Sequence, residues 1–159
     1  MDVPAIEIRT ATLGDTPAIA DLLTQLSYAN TAAEVGRRLA AMNEAAGDRA
    51  LVACMSDAVL GFAAVHLIPM IHRDGCVARV TAFIVAASAR GRGVGTALFA
   101  ACEAHAASRT AERLEVTSGD ARAGAHAFYT NRGCSREGQR FTKRVARAEE
   151  RRSSSRSPR

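Results

Sequence analysis

The segment Arg90-Gly91-Arg92-Gly93-Val94-Gly95 says most about the fold of this 159-residue chain. It follows an apolar run and opens a stretch with helical periodicity, so its glycines are predicted to lie at a strand-to-helix turn. Glycine lets the backbone turn sharply and approach a ligand closely. The N–H groups and the dipole at the start of a helix attract anions, and the two arginines add full positive charges. The segment is therefore predicted to bind a pyrophosphate group.

A glycine-rich turn occurs in several classes of phosphate-binding protein, and two of them fit this turn poorly. The P-loop of nucleoside triphosphatases requires a lysine followed by serine or threonine, whereas Gly95 is followed by Thr96 with no lysine nearby. The dinucleotide-binding fingerprint has a different glycine spacing and lies near the start of its domain, whereas this turn lies past the middle of the chain. Both classes are therefore disfavoured.

Upstream of the turn, strand-like and helix-like patterns alternate. The sequence predicts a short strand from Ile6 to Arg9, then two amphipathic helices, then a hairpin formed by the apolar runs Ala50 to Met55 and Val59 to Ile68. The turn signal Asp74-Gly75 introduces a further apolar run from Val77 to Val85.

The run from Val77 to Val85 has Arg79 and Thr81 as its only polar residues, so it is predicted to be a central strand mostly covered on both faces. Downstream, the helix that begins at the glycine turn is expected to end near Ser108. The remaining predicted elements are a strand at Leu114 to Thr117, a short helix at Arg122 to Asn131 and a last strand near Arg140 to Val145. This order predicts an α/β fold with one central mixed sheet.

Two motifs in this order resemble those of the GNAT superfamily of N-acetyltransferases. The cofactor motif of that family is Arg or Gln, two residues, Gly, one residue, then Gly or Ala, and Arg90 to Gly95 matches it fully. A later family motif places an apolar residue and a tyrosine before a glycine, as in Ala127-Phe128-Tyr129-Thr130-Asn131-Arg132-Gly133. The resemblance extends from Ile6 to about Val145. It implies a GNAT-like fold, with a mixed, mostly antiparallel sheet flanked by about four helices, and acetyl-CoA as co-substrate.

The same resemblance implies roles for individual residues. The backbone around Phe83, Ile84 and Val85 is expected to pair with the pantetheine arm, as an added strand would. A backbone N–H in this stretch is expected to face the thioester oxygen. The complete set of expected cofactor-binding residues is Phe83, Ile84, Val85, Arg90, Gly91, Arg92, Gly93, Val94, Gly95, Thr96 and Phe128.

Tyr129 occupies the position of the family's general acid. A phenol, with an ordinary pKa of about 10, can donate a proton to a departing thiolate. The alternative is that Tyr129 is a core aromatic residue beside Phe128. Because the chain has only two tyrosines and this one lies within the family motif, the catalytic interpretation is favoured.

The general base is where the sequence departs from many relatives, which carry a glutamate on the strand before the cofactor turn. Here that strand offers Arg79 and Thr81 instead. The remaining candidates are Asp120, Glu115, His66, His72, or an ordered water with no side-chain base. A second departure is Cys134, which stands where the family usually has an aromatic or bulky apolar residue.

These observations predict an acetyl-CoA-dependent N-acetyltransferase that acts on the primary amine of a small molecule or a protein by direct attack on the thioester. The alternative is a non-catalytic acyl-CoA-binding sensor or interaction module, which the missing strand glutamate favours. Exposed sheet edges in this family often pair, so a homodimer is one expected assembly.

Composition limits the remaining possibilities. No apolar run is long enough for a membrane helix and no secretory signal is visible, so a cytoplasmic protein without membrane contact is expected. Cys54, Cys76, Cys102 and Cys134 are widely spaced and predicted to be reduced, mostly buried thiols, and no metal site is expected. The net charge of +5 comes largely from residues 147–159, an Arg/Ser-rich tail predicted to be disordered after a domain at 1–146. Nucleic-acid binding by this tail is not the expected role.

Overall fold

The structure, a computed structural model, describes residues 5–118, 123–138 and 140–145. The chain forms two units, Met1–Thr117 and Ser118–Arg159. The predicted basic tail at 147–159 lies outside the described residues. The expectation of one domain over 1–146 therefore stays a prediction.

The first unit carries a five-stranded sheet and three helices in its described part. The strands are β1 (Glu7–Thr10), β2 (Arg49–Met55), β3 (Ala58–Pro69), β4 (Cys76–Val85) and β5 (Ala111–Val116). The helices are α1 (Thr16–Gln25), α2 (Ala32–Glu44) and α3 (Val94–Ser108), and short 3₁₀ turns occupy Leu13–Asp15 and Ala87–Ala89.

The strands follow one another in chain order across the sheet. Successive pairs from β1 to β4 are antiparallel, whereas β4 and β5 are parallel, so the sheet is mixed and mostly antiparallel as predicted. Ser56 and Asp57 join β2 to β3 with φ angles of 45° and 66°. Two left-handed residues give a turn whose twist matches that of the strands it connects, which explains the predicted hairpin.

Helix α3 packs its apolar side on the sheet directly after the glycine turn. Leu98 and Phe99 are buried, and the Phe99 ring meets the edge of Phe83 on β4 with centroids 6.0 Å apart. Gly61 on β3 lets the helix approach, because a Cβ at this position would lie 3.3 Å from the Leu98 side chain. These contacts fix the start of α3 relative to the end of β4.

The prediction that β4 is mostly covered on both faces is wrong at its polar residues. The strand is flanked by β3 and β5, but Arg79 and Thr81 are exposed. An arginine and a threonine cannot be buried cheaply without partners for their polar groups. One face of this part of the strand is therefore open to solvent.

The second unit contains α4 (Ala123–Thr130), which agrees with the predicted short helix. Gly133 follows it with φ 81°, as expected for a glycine that ends a helix. The predicted strand near Arg140 to Val145 is wrong, because residues 140–145 form no strand. Phe141 and Val145 are 88% and 76% exposed. They lie four residues apart among charged side chains and do not give the alternating pattern of a half-buried strand.

The described part of the chain contains no helix that is both long and apolar enough to span a membrane. The four cysteines are free thiols. Cys54 and Cys102 are buried as predicted, whereas Cys76 and Cys134 are partly exposed. Burial raises the pKa of the Cys102 thiol to about 12.

A bidentate ion pair joins β1 to the turn before α1. Both guanidinium NH groups of Arg9 lie 2.8 Å from the carboxylate oxygens of Asp15, and the Thr12 N–H donates to the same carboxylate. Mainly through Arg9, these contacts lower the pKa of Asp15 from 3.8 to about 2. A carboxylate with a lowered folded-state pKa stabilises the fold above the unfolded-state value, and this contribution is lost as pH falls towards 2.

Asp15→Asn should therefore lower the free energy of unfolding by about 1–2 kcal/mol at pH 7, a value discounted for the partial exposure of Arg9. Urea denaturation at pH 7 and near pH 2 measures this, and the difference from the parent chain should shrink at the lower pH. Asp21→Asn, at an exposed position of α1, is the matched control. An equal loss at both pH values would contradict the assignment.

Candidate functional site

The candidate site begins where β4 and β5 separate. Their parallel ladder ends at Val80↔Val116, so the segment from Thr81 to Val85 extends past the last paired residue of β5. On its other side, β4 remains paired with β3 as far as Gly61. The second half of β4 therefore turns backbone N–H and C=O groups towards the β5 side, as an edge strand does.

A β-bulge marks the same point. Val80 pairs with Val65 and Ala82 pairs with Ala64, which leaves Thr81 as an extra residue on β4. A bulge bends its strand and increases the local twist, and bulges are frequent next to active sites. This one bends β4 at the residue where its pairing with β5 ends.

The glycine turn follows this edge after one short 3₁₀ turn. Two hydrogen bonds hold the chain where it leaves β4. Ala86 N–H donates to the Leu60 carbonyl, and Ala87 N–H donates to Gln25 Oε1 on α1. Gly91 and Gly93 then adopt φ angles of 73° and 84°. Side chains with a Cβ rarely adopt such angles, so this path explains the two glycines.

The turn places the N-terminus of α3 at the surface. The first helical hydrogen bond runs from Ala97 N–H to the Gly93 carbonyl, so the N–H groups of Val94 and Gly95 precede the helical ladder. Gly93 is the N-cap and has no side chain to occupy them. A Cβ placed on Gly91 would meet no atom of the described residues within 4 Å, its two chain neighbours aside, which leaves space at the turn.

The charge at this end of the helix is positive. Arg90 and Arg92 are exposed, and neither forms an ion pair with any residue in the described ranges. Together with the helix dipole, these guanidinium groups favour an anion. The structure thus brings the predicted residues 83–85 and 90–96 into one continuous strand, turn and helix start.

An ion-pair cluster lies at the last rungs of the β4–β5 ladder. Arg79 is opposite Glu115, its Nε lies 3.1 Å from Glu115 Oε2, and Arg113 Nε lies 2.9 Å from Oε1 of the same carboxylate. The hydrogen bond from Arg79, and secondly that from Arg113, lower the pKa of Glu115. Both oxygens of Glu115 are thus held by arginines.

The structure distinguishes between the four side chains considered as general base. Glu115 is held as described above, and His72 is exposed in the loop between β3 and β4. Asp120 lies outside the described residues. His66 lies on β3 in contact with Asp48, whose carboxylate Oδ2 is 2.6 Å from the imidazole Nδ1.

Tyr129 and Phe128 lie on α4 in the second unit. Both are half-buried, and their rings meet edge to face with centroids 5.4 Å apart. Arg132 stacks its guanidinium 4.0 Å above the Phe128 ring, and Cys134 N–H donates to the Tyr129 carbonyl. These contacts hold the two aromatic residues in a defined orientation at the end of the helix.

Sequence reasoning missed Asp48 and the bulge at Thr81. Asp48 lies 18 residues from His66 in the chain, and only the β2–β3 pairing brings them together. The bulge has no glycine or proline signal, because Thr81 is an ordinary strand residue. Within the described ranges, no group of three or more His, Cys, Asp or Glu side chains could hold a metal ion.

Comparison with known proteins identifies the family. The model of the Acetyltransferase (GNAT) family matches residues 17–134. The search of curated proteins found no match. Among solved structures, a putative acetyltransferase from Agrobacterium tumefaciens str. C58 is 24% identical, with a TM-score of 0.80 over 87% of this chain and 99% of that one.

Two further solved structures share the fold at lower identity. Glucosamine-6-phosphate N-acetyltransferase from Arabidopsis thaliana is 17% identical, with a TM-score of 0.78 over 89% of this chain and 99% of that chain. A transcriptional regulator from Bacillus halodurans C-125 is 19% identical, with a TM-score of 0.81 over 89% of this chain and 100% of that chain. At these identities the likeness shows a common fold.

Proposed function

Because this chain belongs to the GNAT acetyltransferase family, we propose that it transfers the acetyl group of acetyl-CoA to a primary amine by direct attack on the thioester. The observation that carries the proposal is the segment of β4 from Thr81 to Val85 that extends beyond its last pair with β5 and leads to the positively charged glycine turn. An edge strand next to a positively charged turn fits the two chemical parts of coenzyme A, an amide-bearing arm and a pyrophosphate.

The arm would bind along β4. The backbone N–H and C=O groups of Phe83, Ile84 and Val85 would pair with the amides of pantetheine in the manner of an added strand. Phe83 and Ile84 are held by packing against the core, so the edge is rigid before the ligand binds. A rigid edge lowers the entropic cost of binding.

The pyrophosphate would bind at the turn. The backbone N–H groups of Gly91 to Thr96 would hold it, and Arg90 and Arg92 would supply positive charge. The open space at Gly91 and the left-handed angles of both glycines fit an anion that approaches the backbone closely. Phe128 would add an apolar contact to the cofactor.

The chemistry would take place where β4 leaves β5. A backbone N–H in the stretch from Phe83 to Val85 would donate to the thioester oxygen and stabilise the oxyanion that forms when the amine attacks. Tyr129 would then give its phenolic proton to the departing thiolate. The acceptor would be the amine of a small molecule or of a protein.

A non-catalytic acyl-CoA-binding module is a second candidate, favoured by one observation. Arg79 stands on the strand where many relatives carry a glutamate, and its guanidinium is bound to Glu115. This strand therefore offers no carboxylate that could act as a general base. Such a protein would bind coenzyme A and release none from acetyl-CoA.

Thiol release separates the two candidates. The full chain is incubated with acetyl-CoA and a panel of primary amines, including amino acids, polyamines, amino sugars and peptides with free N-termini. We expect at least one class to give amine-dependent release of coenzyme A well above hydrolysis. Saturable binding of acetyl-CoA without release by any amine would support the sensor instead.

A further inference from the structure

Asp48 and His66 form a polar pair on the sheet in which each group has a fixed orientation. Asp48 Oδ1 accepts a hydrogen bond of 3.0 Å from the Leu67 backbone N–H, and Oδ2 contacts His66 Nδ1 at 2.6 Å. The Asp48 side chain is only 14% exposed, whereas that of His66 is 35% exposed. A carboxylate on Nδ1 fixes the ring and leaves Nε2 as the reactive nitrogen.

The direction of Nε2 follows from the strand order. Asp48 immediately precedes β2, so it contacts the imidazole from the β2 side of β3. Nε2, on the other side of the ring, is directed away from β2. No protein atom in residues 5–118, 123–138 or 140–145 makes a hydrogen bond to it.

His66 faces the point where β4 and β5 separate. It is opposite Arg79 on β4, and Arg79 is opposite Glu115 on β5, so the three side chains share one face of the sheet. Neighbouring strands are about 4.8 Å apart, and the open edge begins at Thr81, about 7 Å along β4 from Arg79. His66 is thus one strand across and two residues along from the start of this edge.

The other titratable groups of this face are already engaged. Glu115 accepts from Arg79 and Arg113, and its lowered pKa makes it a weak proton acceptor. Two other histidines of the first unit lie elsewhere. His105 is on α3, with its Nε2 2.7 Å from the Gly47 carbonyl, and His72 is in the loop between β3 and β4. His66 combines a ring held by Asp48, a partly exposed side chain and a position near the proposed reaction centre.

From this geometry we infer that His66 is the general base that removes a proton from the acceptor amine, and that Asp48 is its positioning residue. This inference rests on the proposed function. The ammonium group gives one proton to His66 Nε2, directly or through a water, and the free amine then attacks the thioester carbon. A C–N bond forms, the C–S bond breaks, the nitrogen loses its second proton to solvent, and the thiolate takes a proton from Tyr129, which solvent then reprotonates. The imidazolium, stabilised by the Asp48 carboxylate, returns its proton to solvent.

Chemical rescue tests this inference in the full chain. In His66→Ala, amine-dependent release of coenzyme A should fall about 10²- to 10³-fold, the range expected for loss of a general base. Affinity for coenzyme A, measured by calorimetry, should change less than about threefold, because His66 does not lie on the β4 edge. Added imidazole should restore turnover in proportion to its concentration. His66→Gln keeps a polar side chain beside Asp48 and serves as a second variant in case His66→Ala folds poorly. It should be as slow as the alanine variant.

Asp48→Asn tests the positioning role. It should reduce turnover about tenfold through kcat, with little change in the KM for the amine, because the carboxylate that orients the imidazole is gone. Asp57→Asn makes the same chemical change in the β2–β3 turn and should leave turnover unchanged.

Parental turnover in both His66 variants, or a loss that imidazole leaves unrepaired, would overturn the role of His66 and leave the proposed function standing. Absence of amine-dependent release in the parent chain would overturn both.

Discussion

Gly93→Asp should weaken binding of coenzyme A by about 100-fold or more, which corresponds to about 2.7 kcal/mol. Gly93 is the left-handed N-cap of α3, with φ 84°, at the centre of the proposed pyrophosphate site. An aspartate here would place a negative charge against the bound anion and cancel much of the attraction from Arg90, Arg92 and the helix dipole. Isothermal titration with coenzyme A measures the change directly.

Two controls separate charge from backbone strain in this experiment. Asparagine tolerates left-handed angles about as well as aspartate but is neutral, so Gly93→Asn should bind coenzyme A more tightly than Gly93→Asp. Gly138→Asp introduces the same residue at another left-handed glycine with open space around it, and should bind as the parent chain does. Equal affinities of the aspartate and asparagine variants would mean that charge at the turn does not govern cofactor binding.

Tyr129→Phe should reduce the rate of acetyl transfer by about 10²- to 10⁴-fold, the usual contribution of a positioned general acid. The substitution removes one hydroxyl and keeps the ring that meets Phe128 edge to face, so the helix should be preserved. Affinity for coenzyme A should remain within about twofold. Single-turnover kinetics with the best amine measures the chemical step apart from product release.

Thr130→Val is the matched control for Tyr129→Phe. It removes a hydroxyl from the next residue of α4, which is exposed, and should leave the transfer rate unchanged. A Tyr129→Phe variant with the parental rate would remove Tyr129 from the role of general acid. It would restore the simpler interpretation of this residue as packing for Phe128.

Local signals in the sequence were enough to predict most of the fold. Apolar runs with a short polar interval at Ser56 and Asp57 predicted the β2–β3 hairpin, and helical periodicity placed the end of α3 at Ser108. The start of β5 was missed by three residues, because Ala111 to Arg113 carries two charged side chains, and the partner of Glu112, Arg73, lies on another segment. The predicted strand near Arg140 to Val145 had apolar residues but lacked their alternation.

The residues of the site likewise fall into two groups: those that a contiguous motif predicts and those that only strand pairing brings together. The glycine turn is a contiguous motif, so its position between a strand and a helix followed from the sequence. The Arg79–Glu115 and Asp48–His66 pairs depend on strand register, which a single sequence does not specify. The bulge at Thr81 sets that register on β4, and its residue type gives no sign of it. The role of Tyr129 came from family resemblance and stays a prediction.

Transfer of a labelled acetyl group tests the central proposal most directly. The full chain is given acetyl-CoA carrying ¹³C in its acetyl group together with an amine that promotes thiol release, and both products are quantified. We expect labelled amide and free coenzyme A in equal amounts, and with Gly93→Asp both should form at least about 100-fold more slowly when acetyl-CoA is kept well below KM. Release of coenzyme A without labelled amide, or tight binding of acetyl-CoA with no label transferred to any amine, would contradict the proposal.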